Sequence, residues 1–221
     1  SETINSVIRK LEKKNKILID IPDRSRKFHK RATPLTGGFG IILSVLVSAE
    51  LYLDLNGLKG FVPTFTQHLI WSSIILVLLF LIDDFKSLTV FKRLSIQILL
   101  STYMIIMTGV DIENLGNIFG FGLLNLGIFS IPFTIFCVVG MMNAFNMIDG
   151  INGLCAGCGM LALLLIGFSS GLIYDSMLVL IIGGMIGFLL FNLRIFGKKR
   201  GVFLGDNGSN LVGFLVAWAA I

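Results

Sequence analysis

Four groups of polar residues stand out in a chain otherwise dominated by apolar ones. Asp83 and Asp84 adjoin in LLFLIDDFKSL, and Asn143, Asn146, Asp149 and Asn152 recur through NAFNMIDGING. Asp206 lies in FLGDNGSN, while Arg24, Arg26, Lys27, His29 and Lys30 crowd into PDRSRKFHKR. Two adjacent Asp side chains repel each other unless a cation lies near. A donor set of carboxylate and amide oxygens suits Mg2+ and not zinc. Mg2+ takes one or two carboxylates and leaves its other positions to water and phosphate oxygens. A basic loop suits a polyphosphate, and a GDNGS turn at a helix start lets backbone N–H groups approach an anion closely. These residue types together point to Mg2+-assisted phosphoryl transfer. Taken singly, each group has an ordinary use as a solvated helix end, a helix cap, a turn or positive-inside charge. The argument rests on their coincidence.

The elements that must carry these residues follow from composition. Of the 221 residues, 55% are hydrophobic and 14% are charged, and the mean hydropathy is +0.89. Soluble domains carry roughly 25% charged residues, so a water-soluble globular protein is excluded, as is a disordered one. The apolar runs are continuous, which excludes the alternation of a β-barrel. Three cysteines make no disulfide framework. The chain therefore reads as an all-α, polytopic helical membrane protein. A span needs about 20 apolar residues, and seven candidates emerge: Gly37–Leu55, Gln67–Ile82, Leu94–Val110, Ile128–Met142, Gly153–Leu172, Met177–Leu193 and one from Asn210. A small surface hairpin is expected near 112–127, where Gly and Asn break the pattern. Ile4, Val7, Ile8, Leu11 and Leu18, interleaved with lysines, suggest a basic amphipathic helix lying on an anionic membrane surface.

Ten of the 18 Lys and Arg residues precede Ala32. With the N-terminal segment placed in the cytoplasm, residues 1–36, 83–93, 143–152 and 194–209 fall inside, with 17 of the 18 basic residues; only Lys59 falls outside. Such a split is the positive-inside pattern, so the formal net charge of +5 reports topology and nucleic acid is not expected as a partner. All four polar groups then share the cytoplasmic face, where carboxylates near a bilayer mark function. Cys155 and Cys158 form a CxxC inside an apolar helix, better suited to helix packing than to metal or redox chemistry.

These stretches carry a resemblance. DIPDRSRKFHKRATPLTGG (20–38), LIDDF (81–85), NLGNIFG (114–120), NAFNMIDGINGL (143–154) and NLRIFGKKRGVFLGDNGSNLVGF (192–214) resemble the polyprenyl-phosphate N-acetylhexosamine-1-phosphate transferases. The similarity is greatest to the bacterial undecaprenyl-phosphate N-acetylglucosamine-1-phosphate transferases. The resemblance implies one transferase domain over 1–221, in a bacterial inner membrane, with the active site facing the cytoplasm. It implies transfer of N-acetylhexosamine 1-phosphate from a UDP-sugar to polyprenyl phosphate with release of UMP, initiating an envelope polysaccharide such as lipopolysaccharide. Mg2+, or Mn2+ in its place, would bind Asp206 with Asn146 as a second ligand. The catalytic acids would be Asp83 and Asp84 at the lipid phosphate, Asp83 being a candidate base, and Asp149. Asp149 and Asn152 would face the uridine. Lys27 and His29 would contact phosphate, and Asn143 and Asn146 would contact substrate. A homodimer is an admissible assembly.

Two departures accompany the resemblance. Bacterial members usually read DGIDG where this chain reads DGING; Asn152 can hydrogen-bond uracil but cannot act as a base or a strong metal ligand. The family's His- and Arg-rich cytoplasmic loop and a first membrane helix are also missing, so the 221-residue chain is expected to be truncated at both ends and inactive alone, within an active parent. The competing readings are phospho-MurNAc-pentapeptide transfer within the same family, a non-enzymatic membrane transporter, and a catalytically dead scaffold.

Overall fold

The computed structural model describes residues 19–20, 33–57, 62–117, 120, 122–171, 175–197 and 200–221. Lys27, His29 and the rest of the basic loop lie outside the described residues, as does the amphipathic helix expected over 4–18. Among the described residues there are seven α-helices: α1 (Gly37–Leu55), α2 (Thr64–Lys86), α3 (Val90–Thr108), α4 (Ser130–Ile148), α5 (Leu154–Ser170), α6 (Ser176–Asn192) and α7 (Gly205–Ala220). Two short strands, β1 (Ile19–Asp20) and β2 (Thr33–Pro34), pair antiparallel ahead of α1. The expected hairpin is present: Asn114 bridges Asn125, and Leu115 N–H donates to the Leu124 carbonyl at 2.9 Å.

α1, α2, α3 and α4 are long and apolar enough to cross a membrane, and α5 and α6 are shorter apolar helices. Their outer faces carry Leu51, Trp71, Ile106, Phe136, Leu165 and Ile186, all exposed, as suits helices facing lipid. The chain is a multi-pass, all-α membrane protein. α7 differs from the others, because every residue from 207 to 218 is buried. It packs against α1, α2, α4 and α5 and forms the axis of the bundle.

Lipid tails are as apolar as leucine, so helices in a membrane associate through close packing and small residues. Gly213 of α7 shows how close. A Cβ there would lie 2.6 Å from the Met142 Cα and 2.9 Å from the Met141 carbonyl oxygen of α4. Gly38 of α1 and Gly208 of α7 meet in the same way. Cys155 is buried and Cys158 exposed, both as free thiols.

Four boundaries differ from the sequence-based expectation by four residues or more. α2 continues past Ile82 to Lys86, α3 begins at Val90 instead of Leu94, α4 continues past Met142 to Ile148, and α7 begins at Gly205 instead of Asn210. Hydropathy falls at polar residues, but a helix continues while its backbone hydrogen bonds are satisfied. The polar residues at these ends turn toward α7. Asp83, Asp84, Asn143, Asn146 and Asp206 therefore lie on helices, not in loops.

Candidate active site

The buried stripe of α2 runs through Leu69, Ser72, Ser73, Leu76, Val77, Phe80 and Asp83. Asp83 continues an apolar face at helical spacing, which is why this carboxylate is only 2% exposed. Its Oδ1 accepts the Leu88 N–H at 2.5 Å, closing the turn into α3. Its Oδ2 pairs with Arg93 Nε at 2.7 Å. The Arg93 Nη1 lies 3.3 Å from Asp206 Oδ2, so one guanidinium spans carboxylates from α2 and α7, a reach that suits its planar fork of donors.

Asp84 meets the other side of α7. It accepts the backbone N–H groups of Asp206 at 3.0 Å and Asn207 at 3.3 Å, and the Asn207 Nδ2 at 2.5 Å. The anion held at this helix start is thus Asp84, with the helix dipole in its favour. Gly205 makes this possible. It has φ +76°, and a Cβ there would sit 2.8 Å from the Leu35 carbonyl oxygen and 3.0 Å from Asp84 Oδ2. Asn207, fully buried, also donates to the Leu35 carbonyl and accepts the Phe39 N–H. The start of α1 is thereby fixed to α7.

From α4, Asn146 Nδ2 donates to Asp206 Oδ1 at 3.2 Å and to Ser209 Oγ at 3.2 Å. Asp149 lies just past the end of α4, half-buried. Burial, then the charges of Asp206 and Asp84, push its carboxyl up to about 7. Asn152 is exposed on the following loop. That loop is tied down by Asn192 of α6, whose Oδ1 accepts the Gly153 N–H at 2.5 Å and whose Nδ2 donates to the Val202 carbonyl at 2.9 Å. Asn143 turns inward, giving its amide hydrogens to Gln97 Oε1 and the Val139 carbonyl, each at 2.8 Å.

Five of the residues singled out by sequence, Asp83, Asp84, Asn146, Asp149 and Asp206, therefore gather at one end of the bundle. Asn143 sits beneath them and Asn152 at the rim. Arg93, Gln97, Asn192, Asn207 and Asn210 were not among those residues. Arg93 and Gln97 were legible in principle, as an i, i+4 pair of polar side chains on an otherwise apolar stripe.

Among the described residues of this cluster, four carboxylates accompany one guanidinium, which pairs with Asp83 and Asp206, and the donors nearby are all oxygens or amides. A hard divalent cation fits that chemistry. Among the described residues no three His, Cys, Asp or Glu side chains are grouped to enclose a metal ion. An ion at Asp206 would thus complete its shell with water and substrate oxygens, the habit of Mg2+.

A sequence profile described as "Glycosyl transferase family 4" matches residues 66–221, which include every residue of this cluster. The chain belongs to glycosyl transferase family 4. Among curated proteins it is 32% identical over 215 residues to the undecaprenyl-phosphate alpha-N-acetylglucosaminyl 1-phosphate transferase of Escherichia coli (strain K12), covering 91% of this chain and 54% of that protein. The protein of the same name from Yersinia pestis is 33% identical over 207 residues, with the same shares covered. A phospho-N-acetylmuramoyl-pentapeptide-transferase from Prochlorococcus marinus is 30% identical over 217 residues, covering 89% of this chain and 56% of that protein. The chain thus spans about half the length of these family 4 relatives.

Proposed function

We propose that the protein containing this chain transfers N-acetylglucosamine 1-phosphate from its UDP-sugar to a polyprenyl phosphate, undecaprenyl phosphate in bacteria, releasing UMP and beginning an envelope polysaccharide. The carrying observation is the meeting of Asp206, Asn146, Asp84 and Arg93 at one end of the bundle, in a chain whose relatives include transferases named for that sugar and lipid. The distribution of Lys and Arg supports placing this end at the cytoplasmic face of the inner membrane.

In this reading an oxygen of the lipid phosphate attacks the β-phosphorus of the UDP-sugar in a single displacement. The new P–O bond forms as the bond to the bridging diphosphate oxygen breaks, and that oxygen leaves on UMP. A lipid phosphate is largely ionised near neutral pH, its second pKa being about 6, so a general base has little to contribute. Both carboxylate oxygens of Asp83 are already engaged by Leu88 and Arg93, and its role is to hold the guanidinium. Arg93 supplies positive charge beside Asp206, where phosphate oxygens would lie. Asp84 fixes the first turn of α7, and hence the Asp206 backbone. Asp206, with Asn146 beside it at 3.2 Å, would hold Mg2+, which when bound would supply positive charge toward the diphosphate. Asp149 and Asn152, on the rim loop, would face the nucleotide.

The Prochlorococcus relative supports a second reading with the same chemistry and a phospho-MurNAc-pentapeptide donor. The test uses membranes carrying the full-length protein, given polyprenyl phosphate, Mg2+ and either labelled UDP-N-acetylglucosamine or labelled UDP-MurNAc-pentapeptide. Labelled lipid and UMP are expected with the first donor, and neither with EDTA nor with Asp206→Ala. Label from the muramyl donor alone would replace the first reading with the second. Full transfer by Asp206→Ala would overturn the assignment of the site.

A further inference from the structure

Beneath the charged cluster lies a second, neutral layer that spans the same three helices. Gln97 of α3 is 2% exposed, a long amide within an apolar bundle. Its Oε1 accepts Asn143 Nδ2 of α4 at 2.8 Å, and its Nε2 donates to Asn210 Oδ1 of α7 at 2.7 Å. Asn210 Nδ2 in turn donates to the Asp206 carbonyl at 2.8 Å, and Asn143 Nδ2 also donates to the Val139 carbonyl at 2.8 Å. Both ends of this chain of amides finish on backbone carbonyls, which can only accept. The direction of all three amides is therefore fixed, because turning any of them over sets oxygen against oxygen or N–H against N–H.

The two layers are in helical register. Asn143 precedes Asn146 by three residues on α4, Gln97 follows Arg93 by four on α3, and Asn210 follows Asp206 by four on α7. Residues so spaced are neighbours on one helix face. The upper layer, Asn146–Asp206–Arg93, contains the charged groups and is partly buried; the lower, Asn143–Gln97–Asn210, is neutral. A sliding or rotation of α7 that moved Asp206 would also break the lower layer. In an apolar setting each broken bond strands a buried polar group, which opposes such a movement.

We infer that Gln97 is a positioning residue: through Asn143 and Asn210 it locks α4 to the first turn of α7, and so sets the Asp206 carboxylate against Asn146 and Arg93. This rests on Asp206 being the metal-binding carboxylate. Gln97 touches neither substrate nor metal; it fixes where the ligand stands. Supporting residues of this kind typically govern metal affinity by about 10–100-fold.

The experiment measures Mn2+ binding to the purified full-length protein in detergent by electron paramagnetic resonance, alongside melting temperature. Gln97→Met keeps the side-chain length and loses both bonds; Gln97→Glu keeps the acceptor toward Asn143 and loses the donor toward Asn210. Thr134→Val, a buried change at the far end of α4 whose hydroxyl bonds Ser130 and Ile112, is the control for stability loss alone. Both Gln97 variants should weaken Mn2+ binding at least about 10-fold, while Thr134→Val lowers the melting temperature and leaves Mn2+ affinity as in the wild type. Asp206→Asn should abolish binding. If Asp206→Asn abolishes it and the Gln97 variants bind as the wild type does, the positioning role is wrong and the metal site stands. If Asp206→Asn binds normally, the metal site is wrong and the inference falls with it. If neither Gln97 variant folds while Thr134→Val does, Gln97 is a folding residue only, and the inference is overturned.

Discussion

Two glycine-to-alanine substitutions in the middles of helices should change stability in opposite directions. In a free helix, Gly→Ala stabilises by about 1 kcal/mol. Gly140 of α4 has nothing within 4 Å of where its Cβ would be, so Gly140→Ala should realise that gain, raising the melting temperature by roughly 2–4 °C for a chain of this size. At Gly213 the new methyl would stand 2.6 Å from the Met142 Cα and 3.1 Å from its backbone nitrogen. Carbon–carbon contact needs about 3.5–4.0 Å, and backbone atoms have no rotamer to change. α4 and α7 must then separate by about 1 Å, at an overpacking cost of about 1–3 kcal/mol. Set against the helix gain of about 1 kcal/mol, the net loss is up to about 2 kcal/mol, or up to roughly 8 °C, and Gly213→Ala should be about 1–3 kcal/mol less stable than Gly140→Ala. The same displacement would stretch the Asn146–Asp206 contact from 3.2 Å to about 4 Å, beyond hydrogen-bond range, so transfer activity should fall as well. Melting followed by circular dichroism of the protein in detergent measures the first effect, and the transfer assay the second. If Gly213→Ala were as stable as Gly140→Ala, the two backbones would not be in contact and the account of α7 as a tightly enclosed axis would fail.

Other expectations concern charge and loops. Arg93→Met strands the buried Asp83 carboxylate and should cost about 3–5 kcal/mol; adding Asp83→Leu should restore most of the melting temperature, and a neutral single variant would show that the pair is not buried. Asp149 has its carboxyl raised from 3.8 to about 7, first by burial and then by Asp206 and Asp84. The fold therefore favours its protonated form, so its contribution is fully present below about pH 4 and is lost as pH rises through 7. Asp149→Asn should melt with a shallower decline than the wild type between pH 5 and 8, and a steeper decline would reverse the assignment. Asn192→Leu leaves the Gly153 N–H and the Val202 carbonyl without this partner, at about 1–3 kcal/mol each; trypsin should then cut faster at Arg200, and an unchanged rate would mean that Asn192 does not hold these loops.

Sequence alone determined the solvent, the number and order of the apolar helices among the described residues, and the oxygen-rich chemistry of the candidate site. Transfer of side chains into lipid is nearly additive along a chain, so an apolar run such as 37–55 declares itself without knowledge of its neighbours. Tertiary structure alone decided how the polar residues divide their work. The same apolar stripe that buries Phe80 turns Asp83 inward, and Asp84, the next residue, faces the N–H groups of α7. Asn143 and Asn146 look alike in NAFNMIDGING, yet one bonds Gln97 and the other Asp206. Arg93 and Gln97 became part of the site only once α3, α4 and α7 were set side by side. Hydrogen bonds and ion pairs depend on distances of a few tenths of an ångström between residues up to 172 positions apart in sequence. Those distances are fixed by which helix faces meet around α7, and no local pattern of residues encodes them.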